Sequence, residues 1–304
     1  MGRLQDKVCI VTGAGSGMGR AMAELFHAEG ARLVLADISG KQDEVAASLG
    51  GDTVGVQCDV SEEAEVQAMI LAAEDRFGRL DVLCNNAGFG GAMAPLHMQS
   101  LDTWDRVHET NLRGAFLGMK YGVISMLKTG GGAIVNTTSA SGLIGWKHHS
   151  VYGAAKAGVN QLTKAAALDY SDQGIRVNAV APGTMWTGLV EAFRTHAEPP
   201  ADFPVLAGIP MGRWGLAKDI AQAALYLASD EAAYVTGVVL PVDGGYSVGF
   251  SGMGAERPGI ASACSIAVPV ERRGAGSRRS PDLGEEVTPL AIISPPGLSR
   301  SGRT

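Results

Sequence analysis

Apolar residues in this chain fall into short unbroken runs, separated by stretches in which they recur every three or four positions. The runs at 8–11, 32–36, 53–58, 81–84, 133–138, 175–180 and 237–241 have the length of strands and are dominated by Val, Ile, Leu and Ala. A run without polar alternation predicts a strand covered on both faces, as in a parallel sheet. Between the first two runs, Ala21, Met22, Leu25 and Phe26 have helical spacing, and Glu29-Gly30 stops the helix with a glycine just past its end. Further helices are expected to begin near Ser61 and end at Gly78, and to span 102–128, 150–171 and 218–229. Ser61 is the expected cap of its helix, with Glu62 and Glu63 in the first turn, where the helix dipole favours them. Strands alternating with helices, joined by right-handed crossovers, predict an α/β fold built on a doubly wound parallel sheet of seven strands with helices on both faces.

The junction of the first strand and helix, Thr12-Gly13-Ala14-Gly15-Ser16-Gly17-Met18-Gly19, carries the first chemical signal. Four glycines remove side chains where the backbone must turn sharply and approach a ligand. A helix N-terminus fed by such a turn presents free N–H groups and a positive dipole end, which suits a pyrophosphate. The strand–turn–helix context marks a Rossmann-type dinucleotide site, in which Gly13, Ser16, Gly17, Met18 and Gly19 face the cofactor. The second strand ends at Asp37, where a carboxylate can accept the hydroxyls of an adenosine ribose and repel the 2′-phosphate of NADP. Ile38 follows it and Ser16 lies in the turn, so neither position offers a phosphate a cation. The reading is NAD, with a turn-forming role for Asp37 as the plainer alternative.

Composition narrows the class. A chain of 304 residues with 46% apolar content can bury a large core, and its net charge of −6 argues against nucleic acid as a partner. No apolar run is long enough to span a membrane, and the first strand begins too early to leave room for a signal peptide. Cys9, Cys58, Cys84 and Cys264 show no paired spacing, which predicts free thiols in the cytoplasm. The expected catalytic domain is 1–252. Residues 253–304 hold seven Arg, five acidic residues and no Lys among repeated Pro, Gly and Ser, and are expected to be a mostly disordered tail.

The catalytic chemistry gathers between 136 and 156. Tyr152 and Lys156 are four apart at the start of a helix, so they share one face. A tyrosine near its ordinary pKa of ~10 is a poor base at neutral pH, and a neighbouring ammonium, with the positive nicotinamide ring nearby, favours the phenolate and lowers that value. Such a Tyr can exchange a proton with a hydroxyl while hydride leaves the adjacent carbon. Ser139, at the end of the fifth strand, can hydrogen-bond the same substrate oxygen.

Together, Thr12-Gly-x-x-x-Gly-x-Gly19, Asn85-Asn86-Ala87-Gly88, Ser139, Tyr152-x-x-x-Lys156 and Pro182-Gly183 resemble the short-chain dehydrogenase/reductase family in its single-domain form, over residues 4–250. The resemblance implies that Asn111 is a fourth catalytic residue, holding a water that links Lys156 to solvent. It implies that Asp59 and Val60 contact adenine, that Asn86, Ala87, Gly88, Pro182 and Gly183 line the cofactor, and that Thr187 meets the nicotinamide carboxamide. It also implies a homotetramer assembled through the helices of Asn111 and Tyr152 and the last strand.

Ser141, Trp146 and Trp186 are expected to line an apolar substrate pocket, with Phe89, Met93, Leu189, Phe193, Phe203 and Met211 around it. His148-His149 are adjacent and lack a third ligand, so they are read as a loop at the pocket mouth, and no metal is expected. The function this supports is hydride transfer between NAD and a small-molecule secondary alcohol or ketone, with an apolar or cyclic substrate such as a hydroxysteroid or cyclic alcohol. Two alternatives stay open: a 3-oxoacyl thioester reductase and a non-catalytic, NAD-sensing protein.

Overall fold

A computed structural model describes residues 2–187, 198–199 and 208–249, all within one unit of the chain. The expected tail, Cys264, Leu189, Phe193 and Phe203 lie outside the described residues.

The strands of the main sheet are β1 (Val8–Thr12), β2 (Arg32–Asp37), β3 (Thr53–Gln57), β4 (Val82–Asn85), β5 (Gly132–Thr137), β6 (Ile175–Pro182) and β9 (Val239–Val242). They lie in the order β3-β2-β1-β4-β5-β6-β9, every pairing parallel. The direction of strand order reverses between β1 and β4, which opens a crevice at the carboxyl ends of those strands.

Period-2 geometry sends alternate residues of each strand to opposite faces, and both faces are apolar. Cys9, Val11, Leu33 and Leu35 pack with Met22 and Phe26 of α1 (Gly17–Ala28) and with Ile220 and Leu225 of α7 (Ala217–Ala228). Val8, Ile10, Val34 and Leu83 pack on the other face with Met69 and Ile70 of α3 (Glu63–Phe77) and Leu117 and Met126 of α5 (Gly114–Leu127). This two-sided burial is why the strands read as unbroken apolar runs.

Several local features differ from expectation. A helix α2 (Lys41–Leu49) joins β2 to β3, and Gly55 makes room for it, since a Cβ there would lie 2.0 Å from Asp43 Oδ1. Ser61 is not the cap of α3; its amide and hydroxyl both donate to Asp59 Oδ1, at 2.9 and 2.7 Å, and Glu62 takes the cap position. The long helix expected over 102–128 is α4 (Leu101–His108) and α5, joined by a π-helical turn, Glu109–Arg113. The α6 helix (Ser150–Tyr170) follows β5, and a short parallel pair, β7 (Met185–Trp186) and β8 (Gly215–Leu216), lies beside the main sheet. Among the described residues, no helix is long and apolar enough to cross a membrane.

Candidate active site

A cavity of about 510 Å³ occupies the crevice at the carboxyl ends of β1, β2, β4 and β5. Gly13, Ser16, Gly17 and Met18 line it from the glycine turn, and Asp37 and Ile38 from the end of β2. Gly13 and Gly17 have φ of +67° and +54°, conformations that an L side chain would strain. Ser16 precedes α1 without a side-chain capping bond, so the first amides of that helix meet the cavity uncapped.

Asp37 forms the turn weighed for it and also lines the cavity. Its Oδ1 accepts from the Ser39 amide and hydroxyl at 2.9 and 2.7 Å, forming a turn, while Oδ2 accepts the Gly15 amide at 2.9 Å. The charged carboxylate is thereby fixed at the cavity wall.

Asp59, Val60, Asn86, Ala87, Gly88 and Thr187 also line the cavity. Thr12 aligns this wall: its hydroxyl oxygen accepts from the Asn86 and Ala87 amides at 2.9 and 3.0 Å. The Asn86 amide group donates back to the Thr12 carbonyl at 3.0 Å and accepts from the Thr137 hydroxyl at 3.2 Å.

Three expected cofactor contacts lie elsewhere. Gly19 is buried beneath the turn, where a Cβ would sit 2.1 Å from the Gly13 carbonyl oxygen; it lets α1 pack on β1 and does not line the cavity. Gly183 is likewise a packing glycine, with a Cβ position 2.6 Å from that of Asp243, and Pro182 pairs with Val242 in the sheet.

Tyr152 and Lys156 enter the cavity from the first turns of α6. Lys156 is 3% exposed, and its ammonium donates to the Thr137 carbonyl at 2.9 Å. Burial pushes its pKa down to about 8. Burial pushes the Tyr152 phenol up to about 12, and a hydrogen bond from Ser139 opposes that rise. The expectation that Lys156 lowers the Tyr152 pKa is therefore not met by the protein's own groups: desolvation outweighs them, and Lys156 Nζ stands 5.6 Å from the phenol ring centre.

Ser139 accepts from both the amide and the hydroxyl of Ser141, at 3.1 and 3.0 Å, which leaves its own proton to donate toward Tyr152. Ser141, expected in the pocket wall, is buried and orients Ser139.

Asn111 lies in the π turn, a distortion that recurs at functional sites. Its amide nitrogen donates to the carbonyls of Phe89 and Val107 at 2.9 and 3.0 Å, while its buried Oδ1 has no partner. That oxygen and Lys156 Nζ flank Gly88 at 2.4 and 3.3 Å from where a Cβ would stand. An unpaired acceptor beside a buried ammonium suits a water held between them.

The outer walls depart further from expectation. Trp186 is buried edge to face against Trp214, with ring centres 5.8 Å apart, and does not line this cavity. Met93 and Met211 are 67% and 65% exposed. Phe89 does line the cavity, with the Arg106 guanidinium 5.7 Å above its ring. Trp146 joins His149 and Tyr246 in an aromatic group beside Tyr152. Tyr246, Arg106, Glu109 and Thr110 were not foreseen as parts of the site, because only the tertiary fold brings them there.

The residues fit a dinucleotide: an uncapped helix N-terminus, positive-φ glycines, an acidic group at the end of β2 and an orphaned acceptor beside the lysine. Known proteins agree. A family model described as enoyl-(acyl carrier protein) reductase matches residues 13–247. Levodione reductase from Leifsonia aquatica is 40% identical over 258 residues, covering 82% of this chain and 97% of its own. Cis-4-hydroxycyclohexanecarboxylate dehydrogenase from Sinomonas cyclohexanicum is 43% identical over 247 residues, 80% of this chain and 97% of its own. The crystal structure of 3-ketoacyl-(acyl-carrier-protein) reductase from Brucella melitensis complexed with NADH superposes with a TM-score of 0.74 at 34% identity, covering 80% of this chain and 99% of that one.

Proposed function

The chain belongs to the short-chain dehydrogenase/reductase family, and from that premise we propose that it transfers a hydride between NAD(H) and the carbinol carbon of a cyclic secondary alcohol. The observation that carries this reading is that Tyr152 and Lys156 line a cavity whose far end holds Asp37, with Ser139 hydrogen-bonded to Tyr152 and Asn111 Oδ1 beside Lys156 at Gly88. The cyclic substrate rests on the relatives, since the sequence relatives described above have names that specify, for one of them, a hydroxylated six-membered ring carrying a carboxylate.

Gly13, Ser16, Gly17, Met18 and Asp37 would hold the adenosine and pyrophosphate portion, with Asp59 and Val60 beside the base and Thr187 at the nicotinamide end. Bound in its oxidised form, NAD supplies the hydride acceptor and a positive ring that favours a phenolate nearby. Ser139 donates to the substrate oxygen and Tyr152 takes the carbinol proton. Lys156 offsets the charge of the Tyr152 phenolate that accepts this proton and holds the nicotinamide ribose. Asn111 Oδ1 holds the water through which the proton leaves. Trp146 stands in the substrate wall.

The catalytic domain is taken to end near 252, and a homotetramer fits the surface. Leu112, Phe116, Leu162 and Ala165 form an apolar groove between the π turn and α6, with Phe116 47% exposed. A reducing cytoplasm fits Cys9, Cys58 and Cys84, which are free and buried. The 3-oxoacyl thioester reductase reading keeps support from the likeness to the Brucella enzyme.

A screen of cyclic alcohols, hydroxysteroids and sugars for NADH formation tests the proposal, with reduction of an acetoacetyl thioester as the competing assay. Oxidation of cyclic alcohols with no thioester reduction supports it. Thioester reduction alone overturns it.

A further inference from the structure

Beside Tyr152 the structure holds two polar groups that the proton chemistry does not use. The indole Nε1–H of Trp146 and the imidazole Nδ1 of His149 are both closed off from solvent, and neither has a hydrogen-bond partner. Their rings form a chain of edge-to-face contacts. His149 stands 6.1 Å from the Tyr152 ring, Trp146 5.4 Å from His149, and Tyr246 5.2 Å from Trp146. Buried polar atoms are nearly always paired in folded proteins, so two unpaired ones on neighbouring rings call for a partner.

Their chemistry limits what that partner can be. The Trp146 indole can only donate, so its partner must be an acceptor. Burial and the adjacent His148 push the His149 pKa down, so the ring is neutral, and its Nδ1 either donates or accepts according to tautomer. A lone water bridging the two nitrogens would have only those two partners, the fewest that a buried water makes. An oxygen on a molecule already anchored at Ser139 and Tyr152 arrives without needing further partners.

We propose that Trp146 and His149 form a specificity subsite that holds a second oxygen function of the substrate, a hydroxyl or carbonyl on the same ring as the reacting carbinol, with Tyr246 as its apolar wall. The inference rests on the reading of the reaction given above, and it narrows the substrate class from cyclic alcohols to ring diols and hydroxyketones. Tyr152 and Ser139 take one oxygen, while the aromatic group takes the other. A site built to pair a substrate oxygen discriminates strongly against an analogue that lacks it, because its buried polar groups are then left unpaired.

The test compares kcat/KM for cyclohexane-1,4-diol and for cyclohexanol, with NAD, in the wild type, Trp146→Phe and His149→Phe. Both substitutions keep an aromatic ring and remove the polar atom. The wild type is expected to prefer the diol by about tenfold or more. Each variant is expected to lose most of that preference, chiefly through a higher KM for the diol. An unchanged diol-to-alcohol ratio in both variants, or a wild type that prefers cyclohexanol, overturns the subsite while leaving the reaction intact. A wild type that oxidises neither alcohol overturns the reading of the reaction and the subsite with it.

Discussion

The Gly15 amide donates to Asp37 Oδ2 at 2.9 Å, so the glycine turn after β1 holds the acidic end of β2 at the rim of the cavity. A Cβ on Gly15 would meet both that oxygen and Lys41 Cβ at 3.0 Å, which shows how tightly the three segments converge. A negative charge fixed there meets the ribose hydroxyls of NAD favourably and the 2′-phosphate of NADP unfavourably. Steady-state comparison should show NAD preferred in kcat/KM by at least about tenfold, the equivalent of ~1.4 kcal/mol. Asp37→Ala should narrow that preference. Equal use of the two cofactors by the wild type would contradict the role of Asp37.

Gly19 separates a packing glycine from a ligand-contacting one. Its missing side chain makes room for the Gly13 carbonyl at 2.1 Å and for the Asn86 amide nitrogen at 2.7 Å. Backbone at that distance cannot yield as a flexible side chain would. Gly19→Ala should therefore destabilise the fold by about 1–3 kcal/mol, measured by denaturant unfolding without added cofactor. A variant of wild-type stability with weakened NAD binding would return Gly19 to the cofactor.

Much of this architecture is legible in the sequence, for a physical reason. The five central strands, β2, β1, β4, β5 and β6, carry buried residues on both faces, so they form apolar runs that solvent does not interrupt, while the edge strands β3 and β9 are only partly buried. Helix α2 escapes because Lys41, Asp43 and Glu44 crowd its first turn and only Val45 and Ala46 are buried apolar residues. The π turn at Glu109–Arg113 is a change of hydrogen-bond register, and composition does not report it. Tyr152 and Lys156 are readable because a single helix face joins them. The direction of the Tyr152 pKa is not, because it depends on burial by neighbours distant in sequence. Tyr246 is invisible for the same reason: it reaches Trp146 across the fold, 100 positions away in the sequence.

The buried lysine should mark the pH dependence of stability. The Lys156 pKa lies near 8 in the folded protein against 10.5 for the free side chain. Between those values the unfolded chain binds the proton and the folded one does not, so stability rises with pH across that window. Wild type should gain up to about 3 kcal/mol there, and Lys156→Met should lack the gain. Parallel stability curves for the two proteins between pH 8 and pH 10.5 would contradict the burial of a charged lysine.

The tail is open to a simple test. The family match ends at residue 247, and residues 253–304 lack the apolar periodicity of a core. A chain ending at Gly252 should fold and retain most of its NAD-dependent turnover. Loss of soluble protein, or of most activity, would show that residues after Gly252 belong to the working enzyme.

The central claim is that the Tyr152 hydroxyl is the group that exchanges the substrate proton. Tyr152→Phe removes that oxygen alone and keeps the ring against His149. The decisive measurement is the rate of cyclic alcohol oxidation by this variant, alongside its affinity for NADH by fluorescence titration. A loss of about 10²–10⁴-fold in kcat, as expected for removing a general acid–base group, with NADH affinity within a few-fold of wild type, is the predicted result. A variant that binds NADH normally and keeps a substantial fraction of the wild-type rate would contradict it.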